Sequence, residues 1–253
     1  AGYVDGIHAA EATANRKRFC VPDNVTEIEL ATMVAEYLNA KSVFRRMGAP
    51  FVIDNAFNLG DKIPTFIDEV DALPGVVKAG VGSSVPGGFF FGFQFQFAGD
   101  EEVITTKAMN GDEDFCKVLN LKLVEGRFFD EEINDSLSII LNSAAIKAFG
   151  INDPLGKRVM VNQLNAEDKI PLTIIGVVHD FHFMSLKDEI TPLAIVSNRS
   201  GLGVNFNLAI KLDSENIPEV IENIGEKWNL LTENQAYRYD FLDTRLNDQY
   251  KAE

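Results

Sequence analysis

The feature that most constrains this sequence is a strand–helix–strand pattern that occurs twice, once toward each end. In the first copy, Phe51–Phe57 is a short apolar run that reads as a strand. Asp61 stands at a helix N-cap position, and Pro64 falls in the first turn, where a missing N–H costs little. Ile63, Phe66, Ile67, Val70 and Leu73 form one apolar helical stripe. Leu73-Pro74-Gly75 stops the helix and Val76–Val85 returns as a strand. In the second copy, Val204, Phe206, Leu208, Ile210 and Leu212 alternate with residues such as Asn205, Asn207 and Lys211, the pattern of a half-buried strand. Ser214 is placed to cap a helix that again carries a first-turn proline, Pro218, with the stripe Ile217, Val220, Ile221, Ile224, Trp228 and Leu231. A last strand, Ala236–Leu242, alternates Tyr237, Tyr239 and Phe241 against Arg238 and Asp240. Two such units of matched length imply one small sheet built from both ends of the chain.

The stretch between them, 89–203, is then an insertion. It reads as β-rich with short helices: Phe91, Phe93, Phe95 and Phe97 alternate with Gly92, Gln94, Gln96 and Ala98. Ser138–Asn142, Arg158–Gln163, Pro171–Asp180 and Thr191–Ser197 are further strands, Asp112–Asn120 and Ser143–Phe149 short helices, and Asn152 to Lys157 a turn. Residues 1–50 are a helical lead-in. Val25–Met47 carries Ile28, Met33, Val34, Tyr37 and Leu38 near helical spacing, and Gly48-Ala49-Pro50 closes it. The expected fold is α+β with two subdomains: 51–88 plus 204–253, and the inserted 89–203.

Composition narrows the function classes. The 253 residues are 46% hydrophobic, enough for one large core or two smaller ones, and no apolar run approaches the roughly 20 residues that span a bilayer. No basic stretch followed by an apolar run opens the chain, so no signal peptide is visible. A net charge of −15 excludes a nucleic-acid binder, which needs Lys and Arg clusters, disfavours anionic lipid and favours a basic partner. Cys20 and Cys116 have no metal-like spacing. They read as free buried thiols, with a disulfide open as the alternative in an oxidising compartment.

Each candidate for chemistry has a plainer reading. His179 and His182 flank Asp180 and invite a metal or an acid–base role, yet they follow a β-branched run and read as a strand end entering a turn, with Phe181 and Phe183 anchored in the core. Only His8 is left to complete a three-histidine site. Ser83, Ser84, Ser136 and Ser185 lack a nucleophile-elbow context. Asp112-Glu113-Asp114 reads as a helix N-terminus and Asp130-Glu131-Glu132 as a solvated turn. Gly80-Val81-Gly82-Ser83-Ser84 has no following Gly-Lys-Ser/Thr, so it reads as a strand end entering a flexible turn, with Pro86-Gly87-Gly88 as a hinge. No catalytic, cofactor or metal residue is assigned. Phe89, Phe91, Phe93, Phe95 and Phe97 have two readings: a strand whose Phe face covers the core of the insertion, or an aromatic surface that contacts substrate or partner.

Several phrases carry a family likeness. They are Gly126-Arg127-Phe128-Phe129, Leu141-Asn142-Ser143-Ala144-Ala145 with Phe149-Gly150, Asn152-Asp153-Pro154-Leu155-Gly156-Lys157, Ile174 through Leu186, and Phe241 through Tyr250. In this order and spacing, over roughly residues 50–253, the chain resembles the MacB-like periplasmic core domain of ABC-transporter permeases, the group that includes the FtsX and lipoprotein-release permeases. Two departures are visible: the family commonly has a basic residue at the position of His179, and residues 1–50 match weakly.

The resemblance implies a porter-like subdomain of two βαβ units from both chain ends, with an inserted mostly-β subdomain. It implies an extracytoplasmic domain on the periplasmic side of the bacterial inner membrane, with Leu246–Glu253 leading into a membrane helix. Such a domain is not an enzyme and holds no cofactor. It couples ATP hydrolysis by a cognate ATP-binding subunit to the handling of substrate or partner proteins. The implied partners are that subunit, reached through the membrane part, a second permease copy or homologue, and a periplasmic adaptor or lipoprotein. The rival readings are a free periplasmic hydrolase using carboxylates of the 112–132 region and a secreted binding protein.

Overall fold

A computed structural model describes residues 50–97, 103–162, 169–184 and 189–246. The expected helix Val25–Met47, Cys20, His8 and Ser185 lie outside these residues. The elements run in chain order β1 (Phe51–Asp54), a 3₁₀ segment (Ala56–Lys62), α1 (Ile63–Asp71), β2 (Val76–Gly82), β3 (Phe91–Phe97) and β4 (Val103–Gly111). There follow α2 (Phe115–Val118), β5 (Leu123–Gly126), β6 (Ser138–Asn142), α3 (Ser143–Ala148), β7 (Arg158–Asn162), β8 (Lys169–Val178) and β9 (Leu193–Ser197). A 3₁₀ turn (Asn198–Ser200), β10 (Asn207–Leu212), α4 (Ile217–Leu231) and β11 (Tyr239–Phe241) complete the chain. The architecture is mixed α and β with strands dominant.

The two ends of the chain meet as the repeated pattern requires. β1, β2, β10 and β11 lie side by side in the order β11-β1-β10-β2, every neighbour antiparallel. Alternation sorts their side chains. Phe51, Ile53, Ala79, Val81, Leu208 and Ile210 point to one face, where Phe66 and Val70 of α1 and Val220, Ile224 and Trp228 of α4 cover them. Val52 and Ala209 point to the other, onto Phe115, Cys116 and Phe90 of the intervening segment. Burial on both faces explains why β1 reads as a continuous apolar run, and it makes β10 more buried than its alternation implied.

The intervening strands close on themselves. β4 pairs with β3, β3 with β7, β7 with β8, β8 with β6, β6 with β9, and β9 with β4 again. This six-stranded ring packs Phe95, Ile139, Leu141, Val159, Val161, Leu172, Ile174, Ala194 and Val196 into one core. Closure removes the exposed edges that six strands would otherwise present. The ring joins the four-stranded sheet through a single residue pair, Gly82 with Gly111.

The local expectations differ from the structure at element ends. The first strand stops at Asp54 because Asn55 takes a left-handed conformation (φ 60°) into the 3₁₀ segment. Asp61 does not cap α1, which starts after Lys62 with no side-chain cap and relies on its first-turn proline. Ser214 Oγ accepts from the Asn216 N–H at 3.1 Å, so it closes a turn ahead of α4 rather than capping it. The last strand is shorter than expected, Tyr239–Phe241, paired with Phe51 to Ile53 of β1. The helix expected over Asp112–Asn120 is one turn, Phe115–Val118.

Candidate functional site

The phrases that carry the family likeness are fasteners of the fold. In Gly126-Arg127-Phe128-Phe129, a Cβ on Gly126 (φ +79°) would sit 2.3 Å from the Ile175 carbonyl, so only glycine lets β5 lie this close to β8. Arg127 then makes a two-pronged pair with Asp135 at 2.7 and 2.8 Å, and Phe129 enters the core. Asn142 Oδ1 accepts from the N–H groups of Ala145 and Leu193, both at 2.9 Å, and its amide donates to the Thr191 carbonyl. One side chain thus caps α3 and ties it to β9. The turn from Asn152 to Lys157 docks on β8 through Gly156 N–H to Ile174 O and Ile174 N–H to Lys157 O.

The histidine stretch belongs to the same scheme. His179 is exposed just past the end of β8, and Asp180 Oδ1 accepts from the Ala144 N–H at 2.8 Å, a second cap on α3. Phe183 is buried and Phe181 packs beside it, as expected. No group of three or more metal-ligating side chains occurs among the described residues.

The buried and half-buried carboxylates of the 112–135 region are each held by backbone donors or a cation. Asp112 is buried; its Oδ2 accepts from the Val81 N–H and its Oδ1 from the Phe115 N–H, at 2.8 and 2.7 Å. Burial pushes its carboxyl up to about 7, with the two backbone donors pulling the other way. Glu113 pairs with Arg199, and Asp114 with Lys78 and Lys117. Burial works against the charge on Asp114, but its two lysines hold it below the usual range. Cys116, next to this cluster, is a free buried thiol, pushed up to about 12 by burial and then by Asp112. Asp130, Glu131 and Glu132 form an exposed turn.

The glycine-rich segment has a packing origin. A Cβ on Gly82 would meet the Asn110 carbonyl and the Phe115 ring at 2.6 Å each. Phe115 is thereby wedged at the one-pair joint between sheet and ring. The segment after it is not the free hinge that the sequence implied. Ser83 to Pro86 are buried, and Gly87 N–H donates to the Phe183 carbonyl at 3.0 Å.

The aromatic stripe divides. Phe95 is fully buried, and Phe93 and Phe97 are half-buried against the same core. Phe89 and Phe91 stay exposed, at 75% and 37%. They extend into a ridge that the sequence reading did not anticipate. Phe89 meets Phe91 edge-on at 5.2 Å, Phe91 stacks on Phe206 at 5.9 Å, and Phe206 meets Phe57 at 6.0 Å. Phe57 is itself 47% exposed. The backbone at Phe206 is pinned, its N–H donating to Gly82 and its carbonyl accepting from Ala56, each at 3.0 Å. An exposed aromatic row on an anchored backbone, beside the sheet–ring joint, is a surface suited to binding.

This fold recurs in solved structures. One similar structure is the periplasmic region of MacB from Actinobacillus actinomycetemcomitans, at 19% identity and a TM-score of 0.59, covering 79% of this chain and 92% of that one. Another is a domain of a provisionally assigned permease protein from Porphyromonas gingivalis, at 16% identity and a TM-score of 0.53, covering 76% and 88%. At such identities the likeness is one of fold, and it defines the class: a domain of mixed α and β structure built on the same plan. The family follows from the sequence itself. The model of the MacB-like periplasmic core domain matches residues 31–227, and the chain belongs to that family of ABC-transporter permease domains. The match starts earlier than residue 50, so the end of the lead-in is part of the family's pattern. No curated protein matches the chain. No helix among the described residues is long and apolar enough to cross a membrane.

Proposed function

We propose that this chain is the extracytoplasmic domain of an ABC-transporter permease, transmitting the effect of cytoplasmic ATP hydrolysis to substrate or partner proteins on the periplasmic side of the bacterial inner membrane. Family membership carries the reading. Its division of labour is that 51–88 plus 204–253 form the porter-like subdomain and 89–203 the inserted one. The four-stranded sheet built from both chain ends and the separately closed ring support that division. The role is mechanical. Rigid-body motion of membrane helices brings two such domains together or apart, and the domain contributes shape and a docking surface.

A hydrolase of the 112–132 carboxylates is disfavoured because each buried or half-buried acid there is held by backbone N–H groups or a cation. The ridge Phe57, Phe206, Phe91 and Phe89 is the surface offered to substrate, adaptor or lipoprotein. The ATP-binding subunit acts through the membrane part, and a second permease copy or homologue completes the assembly. Free in solution the chain is a monomer or weak dimer, because membrane anchors supply the effective concentration in the assembly; a stable dimer at micromolar concentration in sedimentation would count against this. The placement is tested with Glu131→Cys in the intact permease, in a Cys20→Ser background. A membrane-impermeant maleimide labels it in cells with only the outer membrane opened; labelling that needs lysis of the inner membrane would refute the proposal.

A further inference from the structure

Along the edge of the four-stranded sheet, α4 and the edge strand β11 bound an open groove of about 730 Å³. Its floor is aromatic. Tyr239 is 46% exposed and lies between Phe51 and Tyr237, with ring centroids at 4.9 and 5.0 Å. Gly225 leaves room for this floor, since a Cβ there would come within 3.0 Å of the Tyr237 ring. Tyr237 is fixed by donating from Oη to the Ile221 carbonyl.

The rim is acidic. Glu222 and Glu226 stand one helical turn apart, both exposed, and neither pairs with a cation among the described residues. Lys227, the one basic residue of α4, is turned away onto Glu69 at 3.1 Å. Arg238 is not among the residues that line the groove. The groove therefore combines unburied aromatic surface with two uncompensated carboxylates.

Two occupants conflict with these features. A strand added to β11 needs its outward backbone groups. Residues 238 and 242 bond toward β1, so Tyr239 and Phe241 face outward, but the Phe241 N–H is already taken by Asp240 Oδ1 at 2.7 Å. A second copy would set carboxylates against carboxylates in a chain of net charge −15. We infer that the groove between α4 and β11 receives a basic amphipathic helix of a partner protein. Its Lys or Arg residues, spaced four apart, pair with Glu222 and Glu226, and its apolar stripe covers Tyr239 and Ile221.

The chain contains a single tryptophan, Trp228, buried against Tyr237 with centroids 6.1 Å apart, so it reports on the groove floor. The probe is a synthetic helical peptide of about 18 residues with Leu on one stripe and Lys flanking it at i, i+4, compared with the same peptide carrying Glu for Lys. Titration into the full chain is expected to change Trp228 emission saturably with the Lys peptide only. Glu222→Gln with Glu226→Gln should weaken binding about fivefold, as should Tyr239→Ala. Glu131→Gln with Glu132→Gln, which removes the same charge from an exposed turn elsewhere, should weaken it less than about twofold. Three results would overturn the inference: no saturable binding, equal weakening by the two double variants, or wild-type self-association in sedimentation that Tyr239→Ala abolishes.

Discussion

Replacing Arg127 by methionine removes the partner of a carboxylate that the fold has taken out of water. Asp135 is 2% exposed, and Arg127 engages both of its oxygens, at 2.7 and 2.8 Å. Two donors survive the substitution, Ser138 Oγ at 2.7 Å and the Asp130 N–H at 3.0 Å. Breaking a buried pair from one side costs about 3–5 kcal/mol. The Arg127 side chain is 40% exposed, so water replaces part of what is lost, and the surviving donors bring the expected cost to about 2–3 kcal/mol. In a chain of this size that lowers Tm by roughly 4–12 °C. Methionine keeps much of the apolar stem, so the loss reports the charge contact more than packing.

The pH dependence has a definite sign. Burial works to raise the Asp135 pKa, but Arg127, Ser138 and the Asp130 N–H together carry it below the ordinary range. A depressed folded pKa gives stability that is complete above the unfolded value and is lost as pH falls through the folded one. Arg127→Met removes most of that depression. The gap between variant and wild type is therefore widest near pH 7 and narrows below about pH 4. Urea unfolding at both pH values, with unchanged m, measures it. A loss under about 1 kcal/mol at pH 7, or the same gap at both pH values, would refute the reasoning.

Other expectations concern the joint, the buried acid and the aromatic stripe. Gly82→Val drives a side chain into the Asn110 carbonyl and the Phe115 ring and should cost about 3 kcal/mol in urea unfolding; a loss below about 1 would show that the joint yields freely. Asp112, with its folded pKa raised to about 7, binds protons more readily folded than unfolded, so its contribution to stability falls as pH rises from about 4 through 7. Urea midpoints at pH 5 and 8 should fall less in Asp112→Asn than in wild type, and parallel profiles would contradict that. Phe89→Ser should change stability by no more than about 0.5 kcal/mol and Phe95→Ser by at least about 3, as thermal unfolding would show; similar losses would mean that both rings serve the core.

The parts of this fold that sequence made legible are those with local periodicity. The stripes Ile63–Leu73 and Ile217–Leu231 and the alternation around Leu208 and Ile210 encode burial directly, so α1, α4 and the four-stranded sheet could be read. β4 was missed because Val103–Gly111 mixes Thr, Lys and Asn into a strand whose outer half is exposed. β5 is four residues with three exposed. Ring closure depends on parallel pairs between distant segments, β4 with β9 and β6 with β8, which no local pattern encodes. The aromatic surface was half legible. Alternation made the stripe visible, but nothing in it separates Phe91 from Phe95; Phe57 and Phe206 join the ridge only because the two chain ends meet. The glycines of 80–82 pointed to a flexible turn, whereas their reason is a phenylalanine more than thirty residues further on.

The function proposed above requires that this domain move as a body in response to ATP on the far side of the membrane. The most direct measurement places a spin label at Glu131→Cys in the intact permease, reconstituted with its ATP-binding subunit in lipid. Cys20→Ser removes the other reactive candidate, and Cys116 is buried. Label-to-label distances between the two copies are then compared with and without a non-hydrolysable ATP analogue. Two distinct distance distributions are expected, with the fold of each domain unchanged. A single distribution unaffected by the nucleotide would contradict it.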